Sequence, residues 1–179
     1  MIPEAPLERT PEGLVPRGEG WFVVNAREAR WRHTDRFGSD TPFEGDVRFS
    51  EIGINVGVLQ PGQPNAYYHG EESQENFLVL SGECVLLVEG EERRLRAWDF
   101  VHLPPWTEHI LVGAGSGPCV VIAMGSRGPG HEGVRYPVSD LALRHGAGVV
   151  VETSSAVEAY AAVPRPARGP YRPGTLPDL

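Results

Sequence analysis

The chain has 179 residues and a formal net charge of −8, with 16 Lys and Arg against 24 Asp and Glu. The basic residues are scattered and form no stripe, which argues against nucleic acid and anionic membrane as partners. A chain of this size builds one domain with a real core, and 40% hydrophobic with 22% charged residues is a globular composition, not a disordered one.

Gly 22 and Pro 17 are high counts, which points to many turns and short strands. Residues 1–17 hold no apolar signal core, and no run approaches the roughly 18 apolar residues of a spanning helix. Cys84 and Cys119 lie in apolar runs without a CxxC pattern. They read as buried free thiols, and the expected location is the cytoplasm.

In chain order, residues 1–20 are expected to form an extended arm, broken by Pro3, Pro6, Pro11 and Pro16. The barrel is expected over 21–126 and a C-terminal segment over 127–179. Residues 21–24 predict a short strand, and Asn25 with Glu28 predicts a brief capped helix over 26–31. Residues 36–46 read as loop. From 49 to 59 the chain alternates: Ile52, Ile54, Val56 and Val58 share one face, and Gly53, Asn55 and Gly57 the other. Which face points inward is left open by the sequence. Strands follow at 76–80, 84–88, 93–95, 100–103, 109–112 and 118–124, divided by Gly and Pro turns. This rhythm predicts an all-β sandwich or barrel. Phe77 and Val79 oppose Leu78 and Leu80, and Leu111 opposes Ile110 and Val112. Both faces are apolar, so the outer one needs cover from the arm or from a second subunit, and a homodimer is expected. Beyond 126, Ser139 predicts a helix over 140–145, and Ser155 with Glu158 a capping box for a helix reaching Ala162. A Pro-rich tail over 163–179 ends the chain.

The residues that carry chemistry lie between His69 and His109. A strand returns to the same face every second residue, so Glu71, Ser73 and Glu75 are expected to point with His69, and Phe77 continues that wall. His109 and Leu111 share a face on a later strand. Two imidazoles with one or two carboxylates suit one divalent ion, with Fe(II), Zn, Mn and Ni all compatible. His69, Glu71, Glu75 and His109 are therefore the candidate ligands. Glu71 has three readings: a fourth ligand, an acceptor that orients a ligand histidine, or a solvent-facing acid in the turn; for an isomerisation it is also a candidate catalytic base. Gln74 reaches the pocket only if the strand bulges. His102, between Val101 and Leu103, is a second candidate acid or base, or a hydrogen-bonded barrel histidine. Tyr67 and Trp106 are candidates for the pocket rim, with packing as the alternative. His33, His131 and His145 fall in loops or helix ends and need no function. No phosphate-cradling Gly-rich loop and no cluster of Lys or Arg is visible, which argues against sugar phosphates.

The run His69-x-Glu71-x3-Glu75-x6-Gly82 and the run Trp98-x5-Pro104-x-Trp106-x2-His109-x3-Gly113 resemble the two motifs of the cupin superfamily. The resemblance covers roughly residues 51–124 and implies a double-stranded β-helix, or jelly-roll, barrel. The chain departs from the pattern in particular places. Glu71 replaces the usual second histidine, Trp98 and Trp106 stand where the second motif has glycines, and Gly113 replaces an asparagine. The spacing of His69, Glu75 and His109 is similar to the metal triad of 3-hydroxyanthranilate dioxygenase-type cupins. The resemblance implies a metal-dependent enzyme acting on a small organic molecule, dioxygenase-like first and isomerase-like second. A non-catalytic cupin that binds or senses a small molecule is the alternative.

Overall fold

A computed structural model of the chain describes residues 1–129 and 133–177, so the expectation for His131 falls outside the described residues. The strands are β1 (Leu7–Thr10), β2 (Gly13–Pro16), β3 (Trp31–His33), β4 (Ser39–Thr41), β5 (Ile52–Leu59), β6 (Gly70–Glu71) and β7 (Glu75–Ser81). They continue as β8 (Glu83–Val88), β9 (Glu91–Arg96), β10 (Phe100–Leu103), β11 (His109–Ala114), β12 (Cys119–Ser126), β13 (Val134–Arg135) and β14 (Ala167–Gly169). Two short helices, α1 (Asp140–Arg144) and α2 (Ala156–Ala159), lie between the last two strands.

Two antiparallel sheets face each other. One has the order β10-β7-β12-β5-β4-β3-β14, the other β11-β8-β9. Their inner faces meet in one apolar layer that includes Phe77, Val79, Leu86, Leu103, Leu111 and Val121. Each such side chain contributes about 2 kcal/mol of transfer free energy when fully buried. Register settles the question about β5. Asn55 pairs with Ala123, which pairs with Phe77, and Gly57 pairs with Val121, so Asn55 and Gly57 face inward. The more apolar stripe of β5 faces outward. There Val56 and Val58 pack on Trp31, with Tyr171 and Leu176 of the tail beside them.

The outer faces are covered largely by the chain itself. Trp31 and the tail cover the large sheet. Tyr68, Ala142 and Ala147 cover Leu87, Ile110 and Val112 of the small one. These segments cover most of the outer apolar surface on which a second subunit is expected to sit. Phe100, on the edge strand β10, stays 60% exposed.

Several local expectations are corrected. The arm is not simply extended, because Thr10 and Gly13 close a β1-β2 hairpin. Gly13 sits at φ +125°, and a Cβ there would lie 2.6 Å from the Ala29 carbonyl oxygen, so the hairpin is pressed against residue 29. Residues 21–24 form no strand, since Trp21 makes only an isolated bridge to Glu4 and Val23 is 78% exposed. Asn25 caps a single turn: its Oδ1 accepts from Arg27 N–H at 2.9 Å. The turn stops because Trp31 is drawn into the core as the start of β3, with its indole N–H donating to the Ala26 carbonyl at 2.8 Å. The loop over 36–46 contains β4, and the tail contains β14, which pairs with β3. Ser139 and Ser155 cap their helices as expected, but α2 ends at Ala159. The Glu158 carboxylate turns to the Thr153 hydroxyl, so the capping box is only half made.

Trp98 (φ 76°) and Trp106 (φ 67°) hold left-handed backbone, the conformation that glycine takes at least cost. Both turns therefore keep the shape of the glycine motif with a bulky residue in it. Trp106 is anchored: its N–H donates to the Glu71 carbonyl at 2.6 Å, and its ring lies where a Cβ on Gly133 would reach. Trp98 is 75% exposed. Trp98→Gly is expected to raise stability by about 0.5–1 kcal/mol, because relief of left-handed strain exceeds the added chain entropy of glycine. Urea unfolding of the two proteins measures this, and a loss of stability contradicts it.

Candidate metal centre and cavity

His69 and His109 are brought together by the backbone. Each N–H donates to the other's carbonyl, at 3.2 and 2.8 Å, so the two residues sit directly opposite in an antiparallel pair. Their side chains share a face, with ring centroids 5.0 Å apart. His69 Nδ1 lies 2.6 Å from the Tyr67 carbonyl, and His109 Nδ1 lies 2.8 Å from that of Thr107. A carbonyl only accepts, so Nδ1 carries the proton in both rings. Each ring then presents Nε2 to the site, the orientation seen in ligand histidines.

Glu75 completes the group from the start of β7, where it pairs with Gly125 of β12 and Leu103 of β10. Its Oε2 lies 2.9 Å from His109 Nε2 and 3.7 Å from His69 Nε2. One ligand atom from each of His69, Glu75 and His109 falls within 4.8 Å of the others. Glu75 Oε2 and His109 Nε2 are both buried without a hydrogen-bond partner, although they are so close. A carboxylate lone pair and an imidazole lone pair that meet in a buried site repel each other unless a cation or a proton lies between them.

Burial disfavours the charged form of His69, but the Glu71 and Glu75 carboxylates beside its Nε2 outweigh it and raise its pKa from 6.5 to about 10. Burial pushes Glu75 up, but the His109 and His69 imidazoles beside it outweigh burial and hold it below the usual carboxylate range. Both shifts describe a site that demands positive charge.

Glu71 lies apart from the triad. Its Oε1 is 3.4 Å from His69 Nε2, its Oε2 accepts from the Ser73 hydroxyl at 3.0 Å, and it faces the cavity. The strand expected to run unbroken from His69 to Glu75 is interrupted after β6. Glu72 N–H bonds to the Gly133 carbonyl, and Gln74 N–H to the Ser126 hydroxyl. That break turns Gln74 outward into solvent, so it does not line the pocket.

A cavity of about 750 Å³ opens beside the triad. Phe77 and Leu111 line it, together with His69, Glu71 and Glu75. Tyr67 does not. It is buried one layer back, in ring contact with Phe37 and Tyr160, which themselves line the cavity. Trp106 packs against Gly133 outside the cavity. His102 is exposed on β10, 2.9 Å from Asn76 Oδ1. Val101 and Leu103 take the inward positions of that strand, so His102 faces away from the cavity and has no role there.

Sequence reasoning missed Tyr160, at the end of α2, which forms part of the cavity wall with Val157 and Val163. Its hydroxyl accepts from Tyr67 N–H at 3.1 Å, and burial raises its pKa. No periodic pattern links that tyrosine to the barrel.

Residues 55–125 match the cupin domain family profile. No curated protein matches the sequence. Among solved structures, the polyketide cyclase RemF of Streptomyces resistomycificus is 12% identical, with 59% of this chain and 79% of that one covered and a TM-score of 0.51, a likeness of fold alone. A cupin-superfamily sugar phosphate isomerase of Silicibacter pomeroyi is 21% identical over 62% of this chain and 71% of that one, with a TM-score of 0.48. A candidate sugar phosphate isomerase of Acidithiobacillus ferrooxidans is 25% identical over 48% of this chain, with a TM-score of 0.43, and this chain spans about half of its length, 54%. Two facing antiparallel sheets, a His-Glu-His cluster at the barrel opening and the matched profile agree: residues 55–125 of the chain form a cupin domain.

Proposed function

We propose that this protein is a metal-dependent enzyme that holds one divalent ion, Fe(II), Zn, Mn or Ni, through His69, Glu75 and His109. It acts on a small organic molecule in the adjoining cavity. The observation that carries this reading is the pair of buried, unpartnered atoms, Glu75 Oε2 and His109 Nε2, 2.9 Å apart. A bound ion with only three protein ligands supplies Lewis acidity or, as Fe(II), redox chemistry.

The chain's own residues then divide the remaining tasks. Phe77, Leu111 and Val121 give the cavity apolar walls that exclude water and hold a compact organic body. Glu71 faces the same space outside the triad, placed to take or return a proton. The two-histidine, one-carboxylate set supports oxidation of the dioxygenase type. The position of Glu71 supports a second reading, isomerisation by proton transfer at carbon. Glu71→Gln separates the two: proton transfer predicts a fall in kcat of about 100-fold or more with metal content unchanged. An oxidative reaction predicts oxygen uptake coupled to turnover.

Metal analysis of protein purified and then supplied with each ion tests the central claim. The expected result is one ion per chain in wild type and in Glu71→Ala, and loss of the ion in His109→Ala and Glu75→Ala. A wild-type protein that retains no ion under any supply overturns the reading.

Proton linkage gives a second test. With the His69 pKa near 10, an ion must displace its proton at neutral pH. Calorimetry in buffers of different ionisation enthalpy is expected to show about one proton released per ion. Affinity should rise about tenfold per pH unit below that pKa. In the ion-free chain the raised pKa has the opposite sign for stability. Its contribution is fully present below pH 6.5 and is lost as pH rises through about 10.

A further inference from the structure

We propose that the end of the cavity away from the triad is an anion-recognition site. Arg165 and Arg168 beside Arg32 would take the carboxylate or phosphate group of the small molecule whose other end faces His69, Glu75 and His109. The proposal rests on the cavity being the substrate site and names the class of substrate: a small organic anion with an apolar body.

The sequence shows no basic cluster, but the fold makes one. β14 returns from the C-terminal segment and sets Arg168 directly opposite Arg32 of β3. Arg32 is opposite Asp40 of β4, Asp40 is opposite Gly57 of β5, and Gly57 is opposite Val121 of β12. Cross-strand partners share a face, so this row runs along the inner face of the sheet from its edge into the barrel. Arg32, Asp40, Gly57 and Val121 all line the main cavity, as does Arg165. A second recess of about 530 Å³ adjoins it, lined by Glu12, Arg32, Arg165, Pro166 and Arg168.

The charges in this row are unbalanced. Like charges directly opposite in a ladder destabilise a sheet, yet two arginines face each other here in a chain of net charge −8. Arg32 is satisfied by Asp40, with Nε 2.7 Å from Oδ1. Glu12, the carboxylate on the recess, lies 4.0 Å from Arg30 Nη1. Among the described residues, Arg165 and Arg168 have no hydrogen-bond or ion-pair partner. Arg30 registers the crowding: burial lowers its pKa most, and Arg168 is the next cause. Guanidinium forks match the geometry of carboxylate and phosphate oxygens, so an oxyanion relieves the crowding and uses both free arginines.

The path between the two ends is open. A Cβ on Gly57 would meet only the Val121 carbonyl oxygen, at 3.9 Å, and the backbone there does not need glycine. The missing side chain leaves room for a ligand between the arginines and the triad. The walls beside it, Leu59, Phe77 and Val121, are apolar.

Calorimetric titration of the full chain with benzoate, phenyl phosphate and the neutral benzamide tests the proposal. The titrations use metal-supplied wild type, His109→Ala, Arg165→Gln and Arg168→Gln. At least one anion is expected to bind tenfold or more tighter than benzamide, and the tighter anion identifies carboxylate or phosphate as the recognised group. Each arginine substitution is expected to weaken that anion about tenfold while metal content stays at the wild-type level. Binding should weaken with added salt. Arginine variants that bind both anions as tightly as wild type, or no preference over benzamide, overturn the proposal. The two readings fail separately. Anion binding that needs metal and ignores the arginines removes the anion site and leaves the metal centre. Arginine-dependent binding in a wild-type protein that retains no ion under any supply removes the metal centre and leaves the anion site.

Discussion

A buried carboxylate cannot face two imidazole lone pairs without positive charge between them, and the barrel opening is arranged around that constraint. The backbone pairing of His69 with His109 forces the rings side by side. The carbonyls of Tyr67 and Thr107 hold the proton of each ring on the outer nitrogen, so both inner nitrogens offer lone pairs. Glu75, opposite a glycine in β12, has the room to bring its oxygen against them. Left unbalanced, such a cluster costs several kcal/mol. It is tolerable only because a cation or a proton belongs in it.

Much of the remaining architecture serves to keep that place dry and shaped. The inner apolar layer fills the barrel below the triad. β3, α1 with the turn after it, and the tail cover outer faces that would otherwise seek a partner. The same C-terminal segment supplies Tyr160, Val163 and Arg165 to the cavity. A single stretch of chain thus closes the fold and furnishes part of the candidate binding surface.

The parts legible in the sequence are those with a short-range signature. Alternation and Gly or Pro turns gave the barrel strands close to their observed bounds, and parity along β7 and β11 placed Glu75, Phe77, His109 and Leu111 on one face. Parity failed where the ladder breaks: the turn between β6 and β7 sends Gln74 into solvent. His102 was ambiguous because neither apolar neighbour reveals which face of β10 is inner. The tail was opaque for a different reason. Its prolines suit an irregular segment, and the pairing of residues 167–169 with residues 31–33 is a contact of long sequence separation that no local pattern encodes. The arginine cluster was invisible for the same reason, since Arg32 and Arg168 become neighbours only through that pairing.

The strand β14 is three residues long and lies at the sheet edge, held on one side only. Short edge ladders are the first parts of a fold to open. Yet this strand carries Arg168, and the segment just before it walls the cavity. Occupancy and closure are therefore thermodynamically linked: whatever fills the space between barrel and tail also fastens the tail, and whatever loosens the tail lowers the affinity for the occupant. Amide exchange at residues 167–169 thus becomes a gauge of what the cavity holds, read at a distance from the His-Glu-His triad.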